Sequence, residues 1–382
     1  MIRWILICLI LATQPVLAQS PVPSAPSVGA NSYILLDFDS GTVIASKDPD
    51  LEVEPASITK IMTSYVIFQE LDQGNLALDD MVLISEQAWR TSGSRTFVEV
   101  GKRVSVEDLL RGVIIQSGND ASVALAEHVA GTEATFAGMM NQTAARLGMN
   151  NTQYQNATGL PMDDHYTTAA DTARLAQAMI DNFPEYYQWY SEREFTYADI
   201  RQQNRNLLLW RDDSVDGLKT GHTQSAGYCL VTSALRDGMR LVSVVMGSSS
   251  EQARASESQS LLNYGFRFFE TFKLYEPGET LTTERVWMGT EDEVNLGVDR
   301  ELYVTIPRGR YNELDARVEM ERRLTAPIEA GQPIGRVIVA LDDEDLDDRD
   351  LVALNEVPES GFFGRTADRF RMWAGGLFGG DD

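Results

Sequence analysis

Ser57 and Lys60 lie three residues apart at the start of a stretch in which Ile58, Ile61, Met62, Tyr65, Val66 and Phe68 recur at helical spacing. Positions i and i+3 of a helix share a face, so this spacing carries the Lys60 amine within reach of the Ser57 hydroxyl. A neutral amine beside a hydroxyl can take its proton and leave a nucleophilic oxygen. At a helix N-terminus that oxygen also feels the positive end of the peptide dipoles, which favours a developing oxyanion. Ser117-Gly118-Asn119 follows the apolar Val113-Ile114-Ile115 and precedes a helix-like run over 121–129, so a loop between helices presents a hydroxyl and a carboxamide. Lys219-Thr220-Gly221 stands just before a hairpin. There Lys219 places positive charge near a nucleophile, and Gly221, without a Cβ, lets a substrate backbone approach. Each cluster alone has an ordinary reading: a chance pair on a surface helix, a turn whose Asn119 or Asp120 caps the next helix, a strand-end lysine with a turn glycine.

These residues need a scaffold, and the surrounding pattern supplies one. Residues 33–36 and 42–45 read as two strands around the turn Asp39-Ser40-Gly41. Pro55 and Gly74 bound the helix that starts at Ser57. A long helical and loop-rich stretch fills roughly 85–210, followed by strands over 228–233 and 240–246 flanking Asp237-Gly238, a strong hairpin signal. A helix is expected over 256–272, with Leu261, Leu262, Tyr264, Phe268 and Phe269 at its spacing. Strands, then helices, then strands and a helix suit an α/β (α+β) sandwich whose sheet closes with segments distant in sequence. Beyond 272, short alternating runs such as 301–306 and 334–340 between Gly/Pro turns predict a small all-β domain, with 342–350 as an acidic, solvated loop. That loop lacks the glycine and terminal glutamate of an EF-hand, so calcium is not expected there.

The three clusters, taken in order, resemble the signature of penicillin-binding proteins and class A β-lactamases. Longer runs resemble the D-alanyl-D-alanine carboxypeptidases among the low-molecular-mass penicillin-binding proteins. They are Pro55-Ala56-Ser57-Ile58-Thr59-Lys60-Ile61-Met62-Thr63-Ser64-Tyr65-Val66-Ile67, Gln116-Ser117-Gly118-Asn119-Asp120-Ala121, Asp216-Gly217-Leu218-Lys219-Thr220-Gly221-His222-Thr223 and Leu262-Asn263-Tyr264-Gly265-Phe266-Arg267-Phe268-Phe269-Glu270-Thr271. Val357-Pro358-Glu359-Ser360-Gly361-Phe362-Phe363-Gly364 resembles the approach to that family's membrane anchor. The resemblance implies a penicillin-binding, transpeptidase-like catalytic domain. In it Ser57 is the nucleophile, Lys60 the general base, and Ser117 a proton relay to the departing D-alanine. Asn119 orients Lys60 and the substrate amide. Lys219 lowers the Lys60 pKa by like charge, and with Thr220 and Arg254 it receives the terminal carboxylate. The backbone N–H groups of Ser57 and His222 form the oxyanion hole. The implied partners are peptidoglycan stem peptides and β-lactams, with no cofactor and no metal.

The rest of the chain bounds this reading. Its 382 residues carry a formal charge of −25, which argues against a nucleic-acid partner. Residues 1–18 read as a secretory signal, with Arg3, an apolar core over 4–12 and Val16-Leu17-Ala18 before the cut. Export to the periplasm follows, with a flexible leader at 20–27. Of the two cysteines, Cys8 leaves with the signal, and Cys229, in an apolar run, is expected to be a buried core residue. The three histidines His128, His165 and His222 form no zinc motif; they read as a helix residue, a loop residue and a residue used through its backbone. The expected domains are 19–272 catalytic, 273–356 β-rich and 357–382 an amphipathic tail. On a helical wheel Phe363, Ala367, Phe370, Ala374 and Leu377 share one face of that tail, with Arg365, Asp368 and Arg371 pointing away and Trp373 beside the stripe. Such a helix is expected to lie in the plane of a membrane surface, the alternative being a helix packed on the β-domain. Three rival readings are weighed. A β-lactamase would need a Glu near Leu-Asn before Lys219. An endopeptidase branch carries a large insertion between the first clusters or lacks the extra parts. A non-catalytic wall-binding protein would have degraded motifs, and all three clusters are intact.

Overall fold

The computed structural model describes residues 22–320, 323–366 and 368–369. The expected signal peptide at 1–18 and the tail positions Ala367, Phe370, Arg371, Trp373, Ala374 and Leu377 lie outside them. At the centre is a five-stranded antiparallel sheet in the order Val43–Lys47, Ser32–Asp37, Met239–Ser248, Gly227–Arg236, Val215–Thr223. The first two strands are joined to the last three across two hundred residues by the pairing that runs from Ser32↔Met246 to Asp37↔Leu241.

Strand side chains alternate between faces, and here both faces are covered. Ile34, Leu36, Val231, Val242, Val244 and Met246 point into the larger core, under the helices Thr59–Asp72, Asn119–Ala130 and Ala169–Asn182. Leu35, Leu230, Leu241 and Val245 point the other way, against Ala255, Leu261, Leu262 and Phe266 of the helix Glu251–Phe268. Burial on both sides explains why these strands read as continuous apolar runs.

The long C-terminal helix differs from its expected span of 256–272. It starts five residues earlier because Ser250 caps it, accepting a hydrogen bond from Ala253 N. It ends at Phe268, where Phe269–Tyr275 becomes a strand paired with Leu302–Pro307. That strand runs across the expected junction at 272. Thr271 Oγ1 donates to Asp37 Oδ2 at 2.7 Å, and the Ser40 and Thr305 hydroxyls lie 2.7 Å apart, so hydroxyls tie the two parts together. Two short antiparallel pairs interrupt the stretch read as helical and loop-rich: Arg103–Ser105 with Met81–Leu83, which lies just before it, and the hairpin Glu194–Tyr197 with Ile200–Gln203. Strands of three or four residues are too short to declare a period.

The leader is also different. Over 22–29 it is docked: Tyr264 Oη donates to the Pro23 carbonyl at 2.9 Å, Gly29 N donates to Glu257 Oε1, and Ala25 and Val28 pack on the smaller core. The C-terminal domain is all β, with a six-stranded sheet over a core of Val286, Leu296, Val304, Val337, Val339 and Leu351. Its acidic stretch is no loop. Asp342 and Asp343, both at positive φ, turn the hairpin Pro333–Leu341 to Glu344–Ala353. The acidic side chains that follow pair with arginines, Asp345 with Arg317 and Asp347 with Arg349.

Candidate active site

Ser57 stands on a 3₁₀ turn, Ala56–Ile58, that leads directly into the helix Thr59–Asp72. The turn is tight: Ala56 has φ +48°. Two glycines let other segments close on it. A Cβ at Gly159 would lie 1.7 Å from the Ala56 carbonyl oxygen, and Gly159 itself has φ +82°. A Cβ at Gly221 would come within 3.1–3.2 Å of Ile58 and Ala56. The room at Gly221, expected to serve a substrate backbone, is thus taken on that side by the nucleophile turn.

Lys60 is fully buried on the first turn of the helix. Its amine donates to Ser57 Oγ at 3.2 Å, to Asn119 Oδ1 at 2.7 Å and to the Thr158 carbonyl at 2.5 Å. Its pKa is pushed down to about 7, first by burial and then by the Arg205 guanidinium, against the pull of Asp120 and Glu133. Arg205 thus adds to the like charge expected from Lys219. Lys219 is itself buried and held well below the lysine range, by burial first and then by Lys60, Arg205 and Arg254.

The second cluster follows a π-helical turn, Gly112–Gln116, after which Ser117 takes a left-handed conformation at φ +67°. This wide turn swings Ser117 out of helical register and starts a new helix at Asn119. Asn119 Nδ2 donates to the Ser92 carbonyl at 2.6 Å, which leaves its Oδ1 aimed at Lys60. Asp120, read as a possible cap, instead accepts from the backbone N–H groups of Thr96, Phe97 and Val98 and so clamps the 92–98 loop beside the cluster. The Ser117 hydroxyl is buried without a hydrogen-bond partner.

The third cluster lies on the edge strand Val215–Thr223 of the main sheet. Lys219 Nζ donates to the Thr220 carbonyl at 3.2 Å. Arg254, on the first turn of the helix Glu251–Phe268, is almost fully buried and donates to the Gly221 carbonyl at 3.1 Å. The His222 ring stacks on Tyr228, with centroids 4.0 Å apart.

Ser57, Ser117, Asn119, Thr220, Gly221, His222 and Arg254 line one cavity of about 210 Å³. Lys60 and Lys219 stand behind its wall. The lining also includes residues that sequence reasoning missed: Ser94, Thr158, Leu160, Arg205 and Glu251. Arg205 sits in a loop held by Asn204 and Asn206, whose amides reach the Glu192 and Gly217 carbonyls at 3.0 Å. No sequence pattern marks it. Thr158 belongs to an Asx turn in which Asn156 Oδ1 accepts from Thr158 N and Gly159 N, and the Asn-x-x-Gly spacing was the available signal. Cys229 is buried, and burial pushes its thiol up to about 11, so it is no rival nucleophile.

A serine oxygen paired with an amine, rather than with a histidine, is the machinery of serine hydrolases that work through an acyl-enzyme. Residues 19–250 match the family described as D-alanyl-D-alanine carboxypeptidase, and residues 269–359 match the penicillin-binding protein 5 C-terminal domain. D-alanyl-D-alanine carboxypeptidase DacC of Escherichia coli K12 is 46% identical over 93% of this chain and 92% of its own, and DacA of the same strain is 43% identical over 94% and 91%. The solved structure of penicillin-binding protein 5 from Haemophilus influenzae superposes with a TM-score of 0.86 at 43% identity, over 88% of this chain and 100% of that one. Penicillin-binding protein D2 from Listeria monocytogenes in its ampicillin-bound form covers 63% of this chain and 100% of its own, with a TM-score of 0.59 at 28% identity. The chain belongs to the D-alanyl-D-alanine carboxypeptidase family of low-molecular-mass penicillin-binding proteins. It is a serine-type peptidase with an α/β catalytic domain followed by an all-β domain.

Proposed function

We propose that this enzyme removes the terminal D-alanine of peptidoglycan pentapeptide stems through an ester on Ser57, limiting crosslinking, and that β-lactams acylate the same oxygen. The observation that carries this reading is the hydrogen bonding of one buried amine. Lys60 touches Ser57 Oγ and Asn119 Oδ1 together, with a pKa near 7. In its neutral form Lys60 takes the Ser57 proton as Oγ attacks the carbonyl of the D-Ala-D-Ala bond. The backbone N–H groups of Ser57 and His222 hold the oxyanion. Ser117, whose hydroxyl has no partner among the described residues, passes the proton to the departing D-alanine amine. Asn119 orients Lys60 and the substrate amide, and Gly221 keeps the strand close to the Ser57 turn. Water then cleaves the ester. A β-lactam follows the first step and leaves an adduct that water removes slowly. Labelling with a fluorescent penicillin tests the reading: a covalent label of long lifetime is expected, whereas rapid turnover of the drug would indicate a β-lactamase, and no label would indicate a non-catalytic protein.

Lys219, Thr220 and Arg254 meet the terminal carboxylate in this account. Arg254 lines the cavity wall together with Arg205, and Arg254→Ala is expected to lower kcat/KM on D-Ala-D-Ala peptides by about 1.5–3 kcal/mol, the worth of a charge-assisted hydrogen bond. β-Lactam labelling should slow as well, because these drugs carry a comparable carboxylate. Unchanged kinetics would remove Arg254 from the site.

We assign residues 1–18 to an export signal, 19–268 to the catalytic domain, 269–359 to the β-domain, which takes in the strand across the expected junction at 272, and 360–382 to a surface anchor. The enzyme then works in the periplasm, peripheral on the outer face of the inner membrane. Support for the anchor is the exposure of Phe362 and Phe363, 71% and 87%, at the start of the tail helix. No helix among the described residues is long and apolar enough to cross a membrane. An in-plane helix with arginines on its polar side binds anionic lipid peripherally. Deleting the residues after Ser360 is expected to release the enzyme from sedimented membranes while leaving cleavage of small peptides intact. Equal membrane retention of the truncated chain would place the anchor elsewhere.

A further inference from the structure

His165 lies outside the catalytic cavity and is 4% exposed. Its ring is fixed at both nitrogens. Gln155 N donates to Nδ1 at 3.0 Å, so Nδ1 is the unprotonated nitrogen and Nε2 carries the hydrogen. Nε2 stands 3.0 Å from Thr59 Oγ1 and donates to it. The two partners belong to the two segments that hold Lys60. Thr59 is the first residue of the helix, two residues after Ser57 and directly before Lys60. Gln155 opens the loop whose Thr158 carbonyl accepts from Lys60 and whose Gly159 packs on Ala56. Thr63 Oγ1, one turn along the helix, donates to Ala157 O of the same loop at 2.8 Å.

We propose that His165 is a positioning residue for acylation: by bridging Thr59 Oγ1 and Gln155 N it sets the nucleophile turn against the Thr158 loop, and thereby the Ser57–Lys60 geometry. The bridge needs a neutral ring, since a proton on Nδ1 would face the Gln155 N–H donor. Burial provides it, holding the imidazole down to about 4 against the raising influence of the Glu54 carboxylate. The other neighbour of the ring is the edge of Tyr154, centroids 5.9 Å apart. The groups that act on Lys60 are Arg205, Asp120 and Glu133, with Lys219 sharing the site. None of these contacts the imidazole, so a change in Lys60 on altering His165 travels through the bridge.

The inference rests on Ser57 and Lys60 as nucleophile and base. Two substitutions divide the ring. Asparagine places an acceptor where Nδ1 stands, and glutamine a donor where Nε2 stands. In the full chain, His165→Asn is expected to slow acylation by a fluorescent penicillin about tenfold or more, the scale of a small misplacement of reacting groups. It should also move the midpoint of the acid limb of the acylation rate. His165→Gln keeps the donor toward Thr59 Oγ1 but leaves Gln155 N without its acceptor, so it should be slowed and its midpoint moved in the same way. Thr59→Val, which removes the hydroxyl and keeps the shape, should match His165→Asn, and the double variant should be no slower than either. Rates are taken per folded molecule. Wild-type rate and midpoint in both His165→Asn and Thr59→Val would overturn the proposal and leave His165 a core histidine. If Ser57→Ala still took the label, the nucleophile assignment itself would fail, an outcome read independently of the His165 variants.

Discussion

Ser57→Ala is expected to abolish D-alanine release and covalent penicillin labelling while the fold survives. The Ser57 hydroxyl has one side-chain partner, Lys60, and that amine keeps its bonds to Asn119 Oδ1 and Thr158 O when the hydroxyl is gone. Nothing in the core loses contact, so the change in stability should stay within about 1 kcal/mol, as for most substitutions that make no cavity. The rate has no such reserve. Without Oγ there is no ester, and what remains is binding and the oxyanion hole; loss of a nucleophile that works as a unit with its base costs about 10⁶ in kcat in the best-studied serine enzyme. A Ser57→Ala protein that still formed an adduct would place the nucleophile elsewhere.

Lys60→Ala should be nearly as damaging and fail differently. General-base assistance contributes about 10²–10⁴ in rate, and Lys60 is the amine in contact with Ser57 Oγ. Its removal also leaves Asn119 Oδ1 and the Thr158 carbonyl without their donor, each at about 1–3 kcal/mol if buried and unsatisfied. Acylation must therefore be measured per folded molecule, with thermal unfolding alongside. The pH profile separates the two effects. A base with its pKa lowered to about 7 is protonated and idle below that pH and active above it, so kcat/KM of the intact enzyme should rise with pH through about 7. In Lys60→Ala that limb should be missing from whatever rate survives. If the limb near 7 persisted, or if acylation fell less than tenfold, some other group would be the base.

The candidate site was legible in the sequence because Ser57-Ile58-Thr59-Lys60, Ser117-Gly118-Asn119 and Lys219-Thr220-Gly221 are local patterns, each with a fixed spacing on one turn or one strand, and the fold brings them to one cavity. The sequence also carried the main sheet, since the Asp237-Gly238 hairpin and the apolar strands declare themselves over a few residues. What it missed is set by tertiary approach. Arg205 acts on Lys60 from a loop about 145 residues away, and the Thr158 carbonyl is a backbone group whose turn Asn156 and Gly159 mark but whose approach to Lys60 they do not. The depth of burial that lowers the Lys60 pKa is of the same kind. It depends on how many segments close over an amine, which the pattern around Lys60 does not encode. The shifted helix was a different kind of miss. The capping serine at 250 was available in the sequence, and the apolar spacing beyond Phe268 was taken for a helix when Phe269 and its neighbours alternate along a strand. His165 read as a loop residue, and its two bonds become visible only once the loop folds back on Thr59.

The central claim is that one serine carries the acyl group. The most direct test is to react the full chain with a β-lactam, digest it and locate the added mass by tandem mass spectrometry. The account predicts one acyl group per chain, on the peptide that contains Pro55-Ala56-Ser57 and on the Ser57 oxygen. Mass on Ser117 or on any other side chain, or none at all on a folded protein, would contradict it.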